Sequence, residues 1–133
     1  MISIIDLQAS IRKELISNAA LTALVADRIY TTHFYDFDNG TVEMPLVIVE
    51  LEGGSANYAG KNQSISFFVY AYSRESSSQA SEVYDKISGA LHLTQVDNGQ
   101  RGFIQEVARP ISGYNPTARS YFIRGSYLAL TAE

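Results

Sequence analysis

Residues Gln63 to Tyr72 constrain the fold more than any other part of the chain. Ile65, Phe67, Val69 and Ala71 alternate with Ser64, Ser66, Phe68, Tyr70 and Tyr72. In an extended chain, successive side chains point to opposite faces. The segment therefore predicts a strand with one apolar face and a second face that runs from serine into aromatics. The apolar face needs a packed layer over it. The aromatic half of the other face needs cover too, from a loop of the same chain or from another chain.

The flanking segments supply the layer. Ile4, Leu7, Ile11 and Leu15 recur at helical spacing, with Asp6 at the end where a carboxylate suits the helix dipole. Ser17-Asn18 ends this helix, and Asn18 is placed to cap a short second one over Ala19 to Val25. Further on, Ser76 and Gln79 stand at capping-box spacing ahead of a helix that buries Ala80, Val83, Tyr84, Ile87, Ala90 and Leu91. Glu82 and Lys86 stand four apart on it in the favourable order. Four further strands are expected. They are Arg28 to Thr32, Leu46 to Leu51 behind Pro45 and closed by Glu52-Gly53-Gly54, Phe103 to Ile111, and Arg119 to Thr131. Asp97-Asn98-Gly99 and Gly113 to Thr117 read as turns, and His33 to Thr41 as a loop. Short turns between strands suit an α+β fold: a mostly antiparallel sheet with helices packed on one face, in a single domain spanning 1–133.

No set of residues offers a catalytic or metal centre. There is no cysteine, which removes thiolate chemistry and cysteine-based zinc sites. The two histidines, His33 and His92, lack the partners that nucleophilic catalysis needs. His92 falls at a helix end, where the dipole accounts for it. His33 with Asp36 and Asp38 is a thin ligand set for zinc. Asp36 to Gly40 fails as a calcium loop, because its twelfth position is Val47 where glutamate is required. No glycine pattern suits a phosphate. Glu50 and Glu52 share a strand face, an arrangement usual for a solvated surface. The expectation is therefore no enzyme, no cofactor and no metal.

Charge narrows the partners. The formal net charge is -4, and the ten basic residues are scattered, so binding to nucleic acid through a basic patch is not expected. No apolar run approaches the roughly 18 residues of a membrane span, and the first residues lack a signal-peptide pattern, so the expectation is a soluble intracellular chain. Charged residues make up only 18%, while tyrosine (nine) and phenylalanine (six) are plentiful, a balance that suits surfaces covered by other subunits and equally suits a strand-rich chain. Phe34, Tyr35, Phe37 and Tyr114 are the candidates for such a subunit interface, the alternative for each being that it folds back onto its own domain.

Several segments, in order, resemble the small tail-terminator, or tail-completion, proteins of siphophages and gene-transfer agents. The resemblance runs through Ala19 to Tyr30, where Ala-Ala-Leu-Thr-Ala-Leu-Val leads into Arg-Ile-Tyr. It continues through Met44-Pro45-Leu46-Val47-Ile48-Val49, Ser66 to Ala71, the serine-led helix to Leu91, and the closing strand Arg119 to Leu130. It covers nearly the whole chain. None of these motifs carries chemistry; their order carries the likeness. It implies a virion protein made in the host cytoplasm and located at the head–tail interface. There a hexameric ring would cap the tail-tube protein, face the head-side connector protein, and let DNA pass without reading it. Two other readings are compatible with the residues: a head-completion or connector ring subunit, and a small ligand-binding module using the aromatic strand face.

Overall fold

The computed structural model describes residues 4–31, 42–56, 62–92 and 101–132. Among the described residues, three helices, α1 (Ile4–Ile16), α2 (Ala19–Val25) and α3 (Ser77–Leu91), pack on one face of a six-stranded sheet. The strands are β1 (Ile29–Tyr30), β2 (Leu46–Ala56), β3 (Asn62–Ser73), β4 (Arg101–Glu106), β5 (Ile111–Asn115) and β6 (Ser120–Ala132). The order across the sheet is β1-β2-β3-β6-β4, with β5 also paired to β6. Every pairing is antiparallel except β1 with β2. The α+β expectation holds.

At the centre lies the ladder between β3 and β6, which runs in unbroken register from Asn62 opposite Ala132 to Ser73 opposite Tyr121. The alternation that predicts β3 survives intact: Ile65, Phe67, Val69 and Ala71 are all buried under the helices. Leu7, Ile11 and Leu15 from α1, Leu21 and Val25 from α2, and Val83, Tyr84, Ile87 and Leu91 from α3 complete that core. Phe67 stacks on Tyr127 of β6, ring centroids 5.4 Å apart.

The helix starts follow from their caps. Asn18 Oδ1 accepts from the Leu21 N–H at 2.9 Å, and Ser76 Oγ accepts from the Gln79 N–H at 3.1 Å. The reciprocal half of the capping box differs from expectation. The Gln79 side chain accepts from the Ser73 hydroxyl, and Ser73 Oγ in turn accepts from the N–H groups of Glu75 (3.1 Å) and Ser76 (3.4 Å). Buried Ser73, the last residue of β3, thereby locks strand to helix.

Four expected boundaries move, each for a physical reason. Glu52-Gly53-Gly54 does not close β2. The register shifts between Leu51 and Gly53, and the strand runs on to Ala56, so the glycines serve a bulge rather than a turn. β1 is shorter than expected because only Ile29 and Tyr30 pair. The strand expected from Phe103 to Ile111 breaks at Val107–Pro110. Glu106 faces Tyr127 and Ile111 faces Arg124, so four residues stand opposite two. Proline has no N–H to offer a ladder there. Finally, Gly113 and Tyr114 lie in β5 rather than in a turn. The turn follows, built by Asn115, whose Oδ1 accepts from the N–H groups of Thr117 (3.0 Å) and Ala118 (3.1 Å). Gly113 is in the strand because the Phe122 ring lies over it; a Cβ there would sit 2.7 Å from that ring. The Asp97-Asn98-Gly99 turn and most of the loop after Thr31 lie outside the described residues.

Gly125 has a similar role on the other face. A Cβ at this position would lie 1.9 Å from the Tyr84 hydroxyl oxygen and 2.6 Å from the ring itself. Gly125→Ala is therefore expected to destabilise the fold by about 2–4 kcal/mol, from overpacking together with disrupted buried hydrogen bonds. Adding Tyr84→Phe should recover only part of the loss, since the ring carbons still collide. Urea denaturation of the two variants checks both statements.

Candidate subunit-contact surfaces

Among the described residues, no group of three histidine, cysteine or carboxylate side chains could hold a metal ion. His33, Asp36 and Asp38 lie outside those residues. His92 ends α3, but its contact is to the sheet: Nδ1 accepts from the Glu106 backbone N–H at 3.2 Å. Of the expected same-face pair Glu50 and Glu52, Glu50 stands opposite Phe68 in the ladder, and the register shifts between Leu51 and Gly53, so Glu52 has no partner residue in it.

A second buried polar network joins α3 to the sheet further along. The Tyr84 hydroxyl donates to the Glu106 carboxylate, and the Tyr127 hydroxyl lies 2.9 Å from it. Both phenols are pushed well above their ordinary value. For Tyr84 the main cause is burial, reinforced by the bond to Glu106. Burial also dominates for Tyr127, opposed in part by its bond to Tyr84. Phenols held protonated in this way are poor bases and poor nucleophiles near neutrality.

The face of the sheet away from the helices carries the aromatics. Tyr70 and Tyr72 stack in parallel, 5.5 Å apart, and Phe122 packs against both, at 6.0 and 5.8 Å. Phe68 meets Tyr70 edge-on at 6.5 Å, and the Arg124 guanidinium lies 4.5 Å above the Phe68 ring. Part of the cover is the chain's own. Leu46, Ile48, Tyr72 and Ala118 form a second buried cluster, with Val42 and Met44 packed against it. Arg74, at the start of the connection to α3, donates to the Val42 carbonyl and holds that segment in place.

Exposed apolar area is concentrated elsewhere. Among the described residues the exposed large hydrophobics are Val107 (51%), Ile111 (51%), Tyr114 (52%) and Tyr121 (38%). All four belong to the β4–β5 edge and the start of β6. Tyr114 packs edge-on against Tyr121, centroids 5.1 Å apart, and half of it remains open to solvent. Of the residues nominated from sequence, Tyr114 is thus on this edge, while Phe34, Tyr35 and Phe37 lie outside the described residues. Val107 and Ile111 are not nominated, because alternation alone does not tell an edge strand from an inner one. Pro110 between them is the signal that could have done so.

No family model matches the chain, and no curated protein matches it. One solved structure similar to it is a chain of the virion of a native gene transfer agent particle. The TM-score is 0.72 at 17% sequence identity, over 96% of this chain and 95% of that one. The two share a fold from end to end.

The tyrosine network has a pH signature. In the unfolded chain both phenols titrate near their ordinary value of 10.0, and in the fold well above it. Their contribution is fully present below that value and is lost as pH rises past it, because the unfolded chain then releases protons that the folded chain keeps. Stability should therefore fall above about pH 10, by up to about 1.4 kcal/mol per pH unit for each phenol. Tyr127→Phe should make that decline shallower, as measured by urea denaturation across the alkaline range.

Proposed function

We propose that this chain is a structural subunit of a phage-like virion, and that it acts as the tail terminator. Its copies form a ring that caps the tail-tube protein and meets the connector on the head side. The observation that carries the reading is the end-to-end fold likeness to a chain of a gene transfer agent virion. The ordered sequence resemblance to tail-terminator proteins agrees with it.

Two physical features support a structural rather than a chemical role. The described residues hold no metal-capable cluster, and their buried hydroxyl network ties α3 to β4 and β6. Exposed apolar side chains gathered along one sheet edge suit a chain that buries surface against neighbours. Net charge also fits. A ring of subunits each carrying -4 would not hold DNA by counterion release as the strand passes.

The purified protein, alone and mixed with its tail-tube protein, should give a light-scattering mass of about six subunits, either free or only on the tube. A monomer that ignores the tube would overturn the proposal. Assembly on the head-side connector without any tube contact would replace it with the connector reading.

A further inference from the structure

The outer edge of β5 combines open backbone, apolar side chains and positive charge. No described strand pairs that edge. Backbone groups along an unpaired edge are a template for another strand. Here the template has fixed limits. Pro110 stands before Ile111 and Pro116 after Asn115, and neither can donate to a ladder. Regular backbone is therefore offered over Ile111–Asn115, five residues long. At the opposite edge of the sheet, beside β1, Arg12 and Gln8 of α1 take the carbonyls of Ile29 (2.9 Å) and Thr31 (3.3 Å).

This window is apolar on both faces. Tyr114 stands opposite Tyr121 and shares a face with it, whereas Ile111 stands opposite Arg124 on the other face. Both are exposed, as are Tyr121 and Val107, and these four are the exposed large hydrophobics among the described residues. Charge sets the window apart as well. The chain has 14 acidic and 10 basic residues, yet from Val107 to Tyr121 it has no acid and two bases, Arg109 and Arg119. Both arginines are exposed, and neither has an ion-pair partner among the described residues. Arg109 precedes the window, and Arg119 lies in the turn that follows it.

We propose that the outer edge of β5 takes an acidic, extended segment of another protein as an added strand. Backbone pairing over Ile111–Asn115 and burial of Ile111 and Tyr114 supply the affinity. Exposed ion pairs are individually weak, so the two arginines act mainly by selecting the partner. Carboxylates near the ends of the incoming strand meet them, and a basic strand is turned away. This names the chemistry of a partner and does not depend on copies of the chain forming a ring.

Amide NMR on the full chain tests the edge with two capped peptides, Glu-Glu-Val-Thr-Val-Thr-Glu-Glu and its counterpart with lysine at every glutamate. The acidic peptide should shift the amides of residues 111–115, slow their hydrogen exchange, and bind about tenfold more tightly than the basic one. Arg109→Glu with Arg119→Glu should reverse that preference without moving the urea midpoint, since both side chains are exposed. Equal binding of the two peptides, shifts confined to other residues, or no binding would overturn the inference. So would protection of the 111–115 amides in the protein's own oligomer without peptide, because the edge would then belong to a second copy. A ring whose 111–115 amides stay open until the acidic peptide is added supports it. A monomer that binds the acidic peptide in the same way supports it too, while removing the ring reading.

Discussion

The ring of Tyr84 fills the space in which any residue other than glycine at position 125 would place its Cβ. That close approach sets the distance between α3 and the middle of β6. It also brings the Tyr84 hydroxyl within reach of Tyr127 on β6 and Glu106 on β4. One aromatic side chain thereby fixes a helix against two neighbouring strands. The arrangement is intolerant of error, since a buried hydroxyl that loses its partner costs about 1–3 kcal/mol. Ser73 performs the matching task at the other end of the connection, where it joins the end of β3 to the first turn of α3. Between these two attachments α3 has little freedom to slide, and the core beneath it packs in one way.

The two sheet faces then solve different problems. Under the helices the core is mostly aliphatic, with Phe67, Tyr84 and Tyr127 as its aromatic members. On the other face the rings of Tyr70, Tyr72 and Phe122 cover one another, and Val42, Met44 and Ala118 close over them from segments adjoining the sheet. Arg124 reaches across this face to lie over Phe68, and its Nε is buried with no hydrogen-bond partner among the described residues. Cation–π attraction offsets part of that cost.

Local pattern was enough to locate the helices and β3. In these segments each buried position recurs at the spacing of its own element, and the caps at Asn18 and Ser76 lie within three residues of the donors they satisfy. It failed where glycine or proline interrupts a strand. Gly53-Gly54, Pro110 and Gly113 all signal a disturbance of the ladder. Whether the chain turns back, bulges or simply passes under an aromatic ring depends on the strand opposite, which lies far away in sequence. Phe122 over Gly113 is such a case. The same limit applies to the candidate surface. Tyr114 is conspicuous as an aromatic in a polar stretch, whereas Val107 and Ile111 become exposed only because nothing described pairs beyond β4 and β5.

An edge strand is left open at a cost, since it invites indiscriminate pairing. This chain closes β1 with two side chains from α1 and interrupts the opposite edge with a proline and a bulge, so the means of closing an edge are present in its sequence. Among the described residues, regular backbone with no strand beyond it remains at β5, whereas the far half of β2 is bulged between Leu51 and Gly53. The tyrosine network and the aromatic face hold the chain together, and the exposed apolar side chains Val107, Ile111, Tyr114 and Tyr121 belong to neither buried cluster, so they can change with little cost to the fold.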